Sequence, residues 1–214
     1  MKKLLIGAAL AASMLAAAPA ANAATLLNGS FEDGVNPGSF TTLGNNSGAV
    51  DSWLVRGAGV DYIGSYWKAK DGLRSIDLSA LQGGTIQQTI AVTVGQSYRV
   101  SFWLAGNPDG GFDNKLMATS VTGDQTNNFE FLVGPGNTKE DMGWKKYSYV
   151  FTAYDPTATL AFNSQTQTPF GPALDNVSIS AVPEPATWAM MIIGFTGAGV
   201  AIRRRRRDDS VSFA

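Results

Sequence analysis

Hydrophobic positions fall into three regimes along the chain. Residues 4–18 are almost unbroken apolar, and so are residues 186–202. Between them apolar residues come in short runs with a period of two, separated by Gly, Asn, Ser and Thr. The clearest run is 97–105. Tyr98, Val100, Phe102 and Leu104 share one parity, and Arg99, Ser101 and Trp103 share the other. That alternation predicts a strand with one apolar and one polar face. In 85–94, Ile86, Ile90, Val92 and Val94 share a parity, and 116–121, 129–133, 146–153, 158–162 and 173–180 read similarly. Asn107-Pro108-Asp109-Gly110-Gly111 and Gly134-Pro135-Gly136-Asn137 punctuate them as turns. No long stretch of the body has helical spacing. The expected fold is all-β, an antiparallel β-sandwich of jelly-roll type.

The two apolar runs have different flanks. Lys2 and Lys3 precede the first, and Ala21-Asn22-Ala23 follows it. A cationic start, an apolar stretch and an A-x-A site make residues 1–23 a signal peptide, with cleavage after Ala23. The second run follows Pro183, Glu184 and Pro185 and ends at Arg203, Arg204, Arg205, Arg206 and Arg207. Seventeen residues rising ~1.5 Å each span ~26 Å, near the lower limit for a bilayer. The arginines hold that end in the cytoplasm, so the body lies on the outer side. The expected layout is therefore a signal peptide at 1–23, one sandwich domain at 24–180 and a sorting tail at 181–214 with a transmembrane helix at 186–202.

Composition narrows the chemistry. The chain has no cysteine and no histidine. Disulfides, thiolate zinc sites and Ser-His-Asp catalysis are excluded. Ser75 and Ser101 have no histidine to activate them as nucleophiles. The near-neutral total hides an acidic body: residues 24–180 hold nine basic and fourteen acidic side chains, a net charge of −5. A nucleic-acid partner is not expected.

A sugar site needs an aromatic platform beside amide and carboxylate partners. Trp103 is the first candidate, with Arg99 on its face and Asn107 just beyond the strand. Trp53 and Trp144 are further platforms, as are Tyr66 and Trp67. The alternative for each aromatic is core packing or cover for a sheet. Asp61, Asp71, Asp77, Glu140 and Asp141 offer carboxylates for a two-acid glycosidase site, but no fixed spacing supports one. The protein is expected not to be an enzyme.

The tail Pro-Glu-Pro-Ala-Thr-Trp-Ala followed by an Arg cluster resembles the PEP-CTERM sorting signal in its PEPxxWA form. That resemblance implies a Gram-negative source, export, a transient hold in the inner membrane and processing by exosortase. It also implies a final place at the cell surface or in an exopolysaccharide or biofilm matrix. The body resembles the choice-of-anchor C family, with its galactose-binding-like jelly roll, and is similar to plant cell-wall proteins of that fold. The residues that carry this are Leu27-Asn28-Gly29-Ser30-Phe31-Glu32, Asp71-Gly72-Leu73-Arg74-Ser75, Leu104-Ala105-Gly106-Asn107-Pro108 and Leu174-Asp175-Asn176-Val177. It implies a non-catalytic, carbohydrate-associated extracellular domain that meets extracellular polysaccharide. In carbohydrate-binding jelly rolls with this opening and close, a Glu and an Asp meet at a structural calcium. Glu32 and Asp175 are the matching positions here, with Asp77 less strongly supported. The alternative is that both carboxylates bond to backbone. Two other functions remain open: a purely structural matrix protein, and a weak glycoside hydrolase.

Overall fold

A computed structural model describes residues 24–122, 126–183, 192–198 and 203. Both sheets and the described core lie within 24–183, which is one compact unit. The signal peptide with Ala23, Glu184 and Pro185, and Arg204 to Arg207 fall outside the described residues, as does most of the 186–202 span. Residues 192–198 are helical and exposed. Among the described residues no helix is long and apolar enough to cross a membrane.

Among the described residues eleven strands form two sheets. They are β1 (Phe40–Leu43), β2 (Leu54–Gly57), β3 (Val60–Ile63), β4 (Ser75–Asp77), β5 (Gly84–Ala91), β6 (Ser97–Gly106), β7 (Asn114–Val121), β8 (Asn127–Leu132), β9 (Lys145–Thr152), β10 (Thr157–Ser164) and β11 (Pro172–Ala181). One sheet runs β1-β3-β4-β11-β6-β9, the other β2-β5-β10-β7-β8. Every pairing is antiparallel. From β4 onward nearly every connection crosses from one sheet to the other, which is the winding of a jelly roll.

The alternation of β6 does what its sequence asks. Tyr98, Val100, Phe102 and Leu104 are fully buried. Phe102 meets Phe162 of the opposite sheet with ring centroids 5.4 Å apart and Phe129 at 5.1 Å. Such edge-on aromatic contacts add to area burial in holding two sheets together. On β5 the alternation stops early: the strand ends at Ala91, and Val94 is 57% exposed.

The outer face of the six-stranded sheet positions the functional groups. Thr42, Asp61, Asp77, Ala173 and Ala105 are register partners in one row across it, and Asp175, Trp103 and Lys146 lie in the neighbouring row. Residues 64–74, between β3 and β4, fold back over this face, and Trp67 is buried beneath them. β11 runs antiparallel to β6, so the chain leaves the sandwich beside Ser97, at the opposite end from Gly106 and Pro172.

Candidate functional site

The segment 64–74 is tied down by carboxylates that accept backbone N–H groups. Asp175, fully buried on β11, takes Lys70 N at 2.7 Å and Asp71 N at 2.9 Å on Oδ2, and Asn176 N at 2.6 Å on Oδ1. Glu32 takes Leu73 N and Arg74 N, both at 2.8 Å, on Oε1. Gly72, between these pairs, has φ +66°, and a Cβ there would collide with the Glu32 carboxylate. The bend needs glycine both for its backbone angle and for the close approach. Trp67 Nε1 donates to Ser75 Oγ at 2.9 Å, and Trp144 Nε1 donates to Lys68 O at 3.2 Å.

Calcium can be weighed against this arrangement. The ion takes ~6–8 oxygens. Asp175 Oδ2 and Glu32 Oε1 each already accept two N–H groups, which is the capacity of a carboxylate oxygen. Amide hydrogens turned toward these carboxylates are the wrong end of the backbone for a cation. Among the described residues no group of three or more acidic side chains is set to hold a metal. Both carboxylates thus serve as amide acceptors, the alternative named for them in the sequence. Chelation is expected to leave the melting midpoint within ~1 °C of its value in calcium. A larger fall in a thermal scan would put the ion back.

At one end of the segment, the outer face opens into a groove of about 260 Å³. Thr42, Asp61 and Asp77 form its floor, and Phe40, Tyr66 and Phe170 stand around it. Asp77 is 1% exposed. Its Oδ1 accepts Ser79 N at 3.0 Å and Gly171 N at 3.2 Å, and its Oδ2 accepts Asn107 Nδ2 at 2.8 Å. Burial pushes its carboxyl up to about 8, against the pull of those hydrogen bonds, and the neighbouring Asp61 adds to the rise. Asp61, its register partner on β3, accepts Thr42 Oγ1 at 2.6 Å on Oδ1. Burial raises the Asp61 carboxyl too, and the Thr42 bond opposes the rise. The rim is built by Phe40 meeting Tyr66 edge-on at 5.1 Å, while the Tyr66 hydroxyl donates to Asp109 Oδ2. Lys139 covers one Tyr66 face, 3.9 Å from the ring centroid, and pairs with Asp109 at 2.9 Å.

At the other end of the segment lies a cationic strip. Lys70 Nζ sits 3.9 Å from the ring centroid of the half-buried Trp103. Lys146 on β9 is directly opposite Trp103, and Arg99 shares the same face of β6, its Nη1 3.5 Å from Ser148 Oγ. A cation over an exposed ring is worth only ~0.5–1 kcal/mol.

The expected sugar residues thus do not form one site. Trp53 is corrected to a core residue. It is 2% exposed, packs on Phe31 at 5.2 Å and Phe162 at 6.2 Å, and spends its N–H on Asn28 O at 2.9 Å. Trp67 is likewise buried at 4% exposure. Asn107 belongs to the groove, but its amide is committed to Asp77 and, through Oδ1, to Asp109 N at 3.0 Å. Trp103 and Arg99 belong to the strip. Trp144 is half-buried and lines a pocket with Lys68, Glu140 and Asp141. Of the five acids weighed for hydrolysis, only Asp61 and Asp77 line the groove. Phe40, Thr42 and Phe170 gave no sequence signal. Phe40 and Thr42 share a parity in β1, a four-residue strand too short to show an alternation.

Residues 24–180 match the family described as "Protein of unknown function (DUF642)". The chain belongs to that family. The motifs had pointed to the choice-of-anchor C family; DUF642 is the name the match supports. In this DUF642 chain the tail also matches, at residues 181–206, the PEP-CTERM protein-sorting motif, which indicates an exported protein of Gram-negative type. Neither match is to an enzyme family. Halomucin of Haloquadratum walsbyi is 32% identical over 167 residues, 74% of this chain and 2% of that protein. The Arabidopsis thaliana protein DUF642 L-galactono-1,4-lactone-responsive gene 2 is 25% identical over 178 residues, 75% of this chain and 47% of that one. The DUF642 chain therefore spans less than half the length of these curated relatives. Among solved structures, a family 35 carbohydrate-binding module from Clostridium thermocellum is similar with TM-score 0.45 and 15% identity, over 66% of this chain and 97% of that one. The CBM22-1 xylan-binding domain from Paenibacillus barcinonensis is similar with TM-score 0.46 and 17% identity, over 78% and 99%.

Proposed function

We propose that this DUF642 protein is an exported, non-catalytic, carbohydrate-associated protein whose groove holds a neutral sugar residue. The observation that carries this is an acceptor under an aromatic rim: Asp61 below, backed by the buried Asp77, with Phe40, Tyr66 and Phe170 around. Sugar hydroxyls donate to Asp61, which Thr42 leaves one free carboxylate oxygen, and the C–H face of the ring packs on the aromatics. Two acids, Asp77 buried and Asp61 half-buried, with no cation between them disfavour an anionic ligand there. Hydrolysis is disfavoured by access. A glycosidase acid must reach the leaving oxygen, whereas Asp77 is 1% exposed with both oxygens engaged. In this reading the signal peptide exports the chain, the 186–202 span detains it in the inner membrane, and exosortase acts near Pro183. The body then joins an extracellular polysaccharide or biofilm matrix.

Asp61→Asn keeps the Thr42 contact but removes charge from the floor. A hydrogen bond to a charged group contributes ~1.5–3 kcal/mol, so affinity for a neutral glycan is expected to fall ~10-fold or more. Affinity electrophoresis of residues 24–183 through gels holding neutral polysaccharides reads this. Retardation by none of them would leave the purely structural matrix role.

A further inference from the structure

The body carries a net charge of −5, yet Lys70 lies over Trp103, Lys146 is its register partner and Arg99 stands farther along the same face. Among the described residues none of these three makes an ion pair. Asp175, the register neighbour of Trp103 on β11, is fully buried and bound to the loop amides, so it does not neutralise them. The surface around them bears hydroxyls: Ser101 on β6, Ser148 opposite it on β9, and Ser178 and Ser180 on β11. Glu140 and Asp141 lie to one side, in the pocket that Lys68 and Lys70 share with Trp144. Arg99 and Trp103 are four residues apart on one strand, ~13 Å, a reach longer than one sugar ring.

Unpaired cations in an acidic body call for an anion. A flat ring beside them calls for a ligand with an apolar face, and the hydroxyls call for further polar partners. We propose that this strip binds an anionic, uronate-bearing polysaccharide. One pyranose stacks on Trp103 in the place of the Lys70 ammonium, and its carboxylate is held between Lys70 and Lys146. The displaced contact is an exposed cation on a flexible stem, which moves at little cost and keeps its charge within reach. The inference extends the carbohydrate reading to a second site of opposite charge preference, separate from the groove.

The test uses the full chain in mild non-ionic detergent, with polygalacturonate as probe. Dextran, single-stranded DNA and vesicles rich in anionic phospholipid are the comparisons. Polygalacturonate is expected to bind, and more weakly as salt rises. Trp103→Ala, which leaves every charge in place, is expected to weaken it tenfold or more, and Lys70→Ala and Lys146→Ala threefold or more each. Trp103→Phe retains a ring and is expected to keep most of the binding, which guards against a folding defect in the alanine variant. Binding unchanged in Trp103→Ala overturns the proposal. So does DNA or anionic vesicles bound as tightly as polygalacturonate, since that describes a generic cationic surface. Asp61→Asn is expected to leave polygalacturonate binding intact, so failure at the groove and failure at the strip are read separately.

Discussion

Replacing Asp175 with alanine is expected to cost ~3–5 kcal/mol of stability, measured by denaturant unfolding. Three backbone N–H groups, of Lys70, Asp71 and Asn176, lose their acceptor at once, two of them in the segment that covers the outer face. Each donor left unsatisfied in a buried position costs ~1–3 kcal/mol, and water entering beneath the loop recovers part of the sum. The loss also has a local signature. Without Asp175 the segment keeps the Glu32 bonds to Leu73 and Arg74 and the backbone bonds of Tyr66 and Lys68, but Lys70 and Asp71 lose their anchor. Amide exchange in 66–71 is expected to accelerate more than in the strands. A cost below ~1 kcal/mol would mean that Glu32, Trp67 packing and the remaining backbone bonds seat the segment without it.

The second large effect is a stability that falls as pH rises. The Asp77 carboxyl is held at about 8 in the folded protein, chiefly by burial. In the unfolded chain an aspartate titrates near ~3.9. Between these values the folded state binds a proton that the unfolded state has released, so rising pH favours unfolding. The contribution is whole below about pH 4, shrinks through neutrality and is gone once the pH passes about 8. The groups facing Asp77 are Asp61, the Asn107 amide and the N–H groups of Ser79 and Gly171, with no cation among them. The melting midpoint is expected to be ~5 °C or more higher at pH 5 than at pH 8.5, on ~2–4 °C per kcal/mol for a chain of this size. Asp77→Asn should reduce that slope without abolishing it, because burial also pushes the Asp175 carboxyl up, to about 7. A slope unchanged in Asp77→Asn would show that Asp77 does not carry it.

The sequence revealed most of the sandwich because period-two alternation survives wherever one face of a strand meets the core. β6 is the plain case, with Tyr98, Val100, Phe102 and Leu104 buried and Arg99 outward. The first four strands were not legible as strands. They are three or four residues long, too short for an alternation to stand out, and β4 is buried on both faces although Ser75, Ile76 and Asp77 alternate in polarity. That same double burial hid the site. Parity marks an outward residue but not whether a later segment folds over it. Trp67 and Asp175 are outer-face groups buried by 64–74, and Trp53 is core, although all three read as accessible polar or aromatic residues. Asp61 and Asp77 are sixteen positions apart in sequence, and only the β3–β4 register makes them neighbours.

Polarity in the sandwich sets how a tethered copy would present itself. The groove lies near Gly106 and Pro172, and the chain departs past Ala181 beside Ser97. Ten residues of β11 separate the two poles, ~33 Å at ~3.3 Å per residue. Any attachment made at the end of β11 would hold the sandwich by its foot, leaving the groove of Asp61 and Asp77 at the far tip. Pulling on a captured polymer would then load β11 along its whole length, in shear against both β6 and β4, a geometry that resists force far better than peeling a strand from an edge.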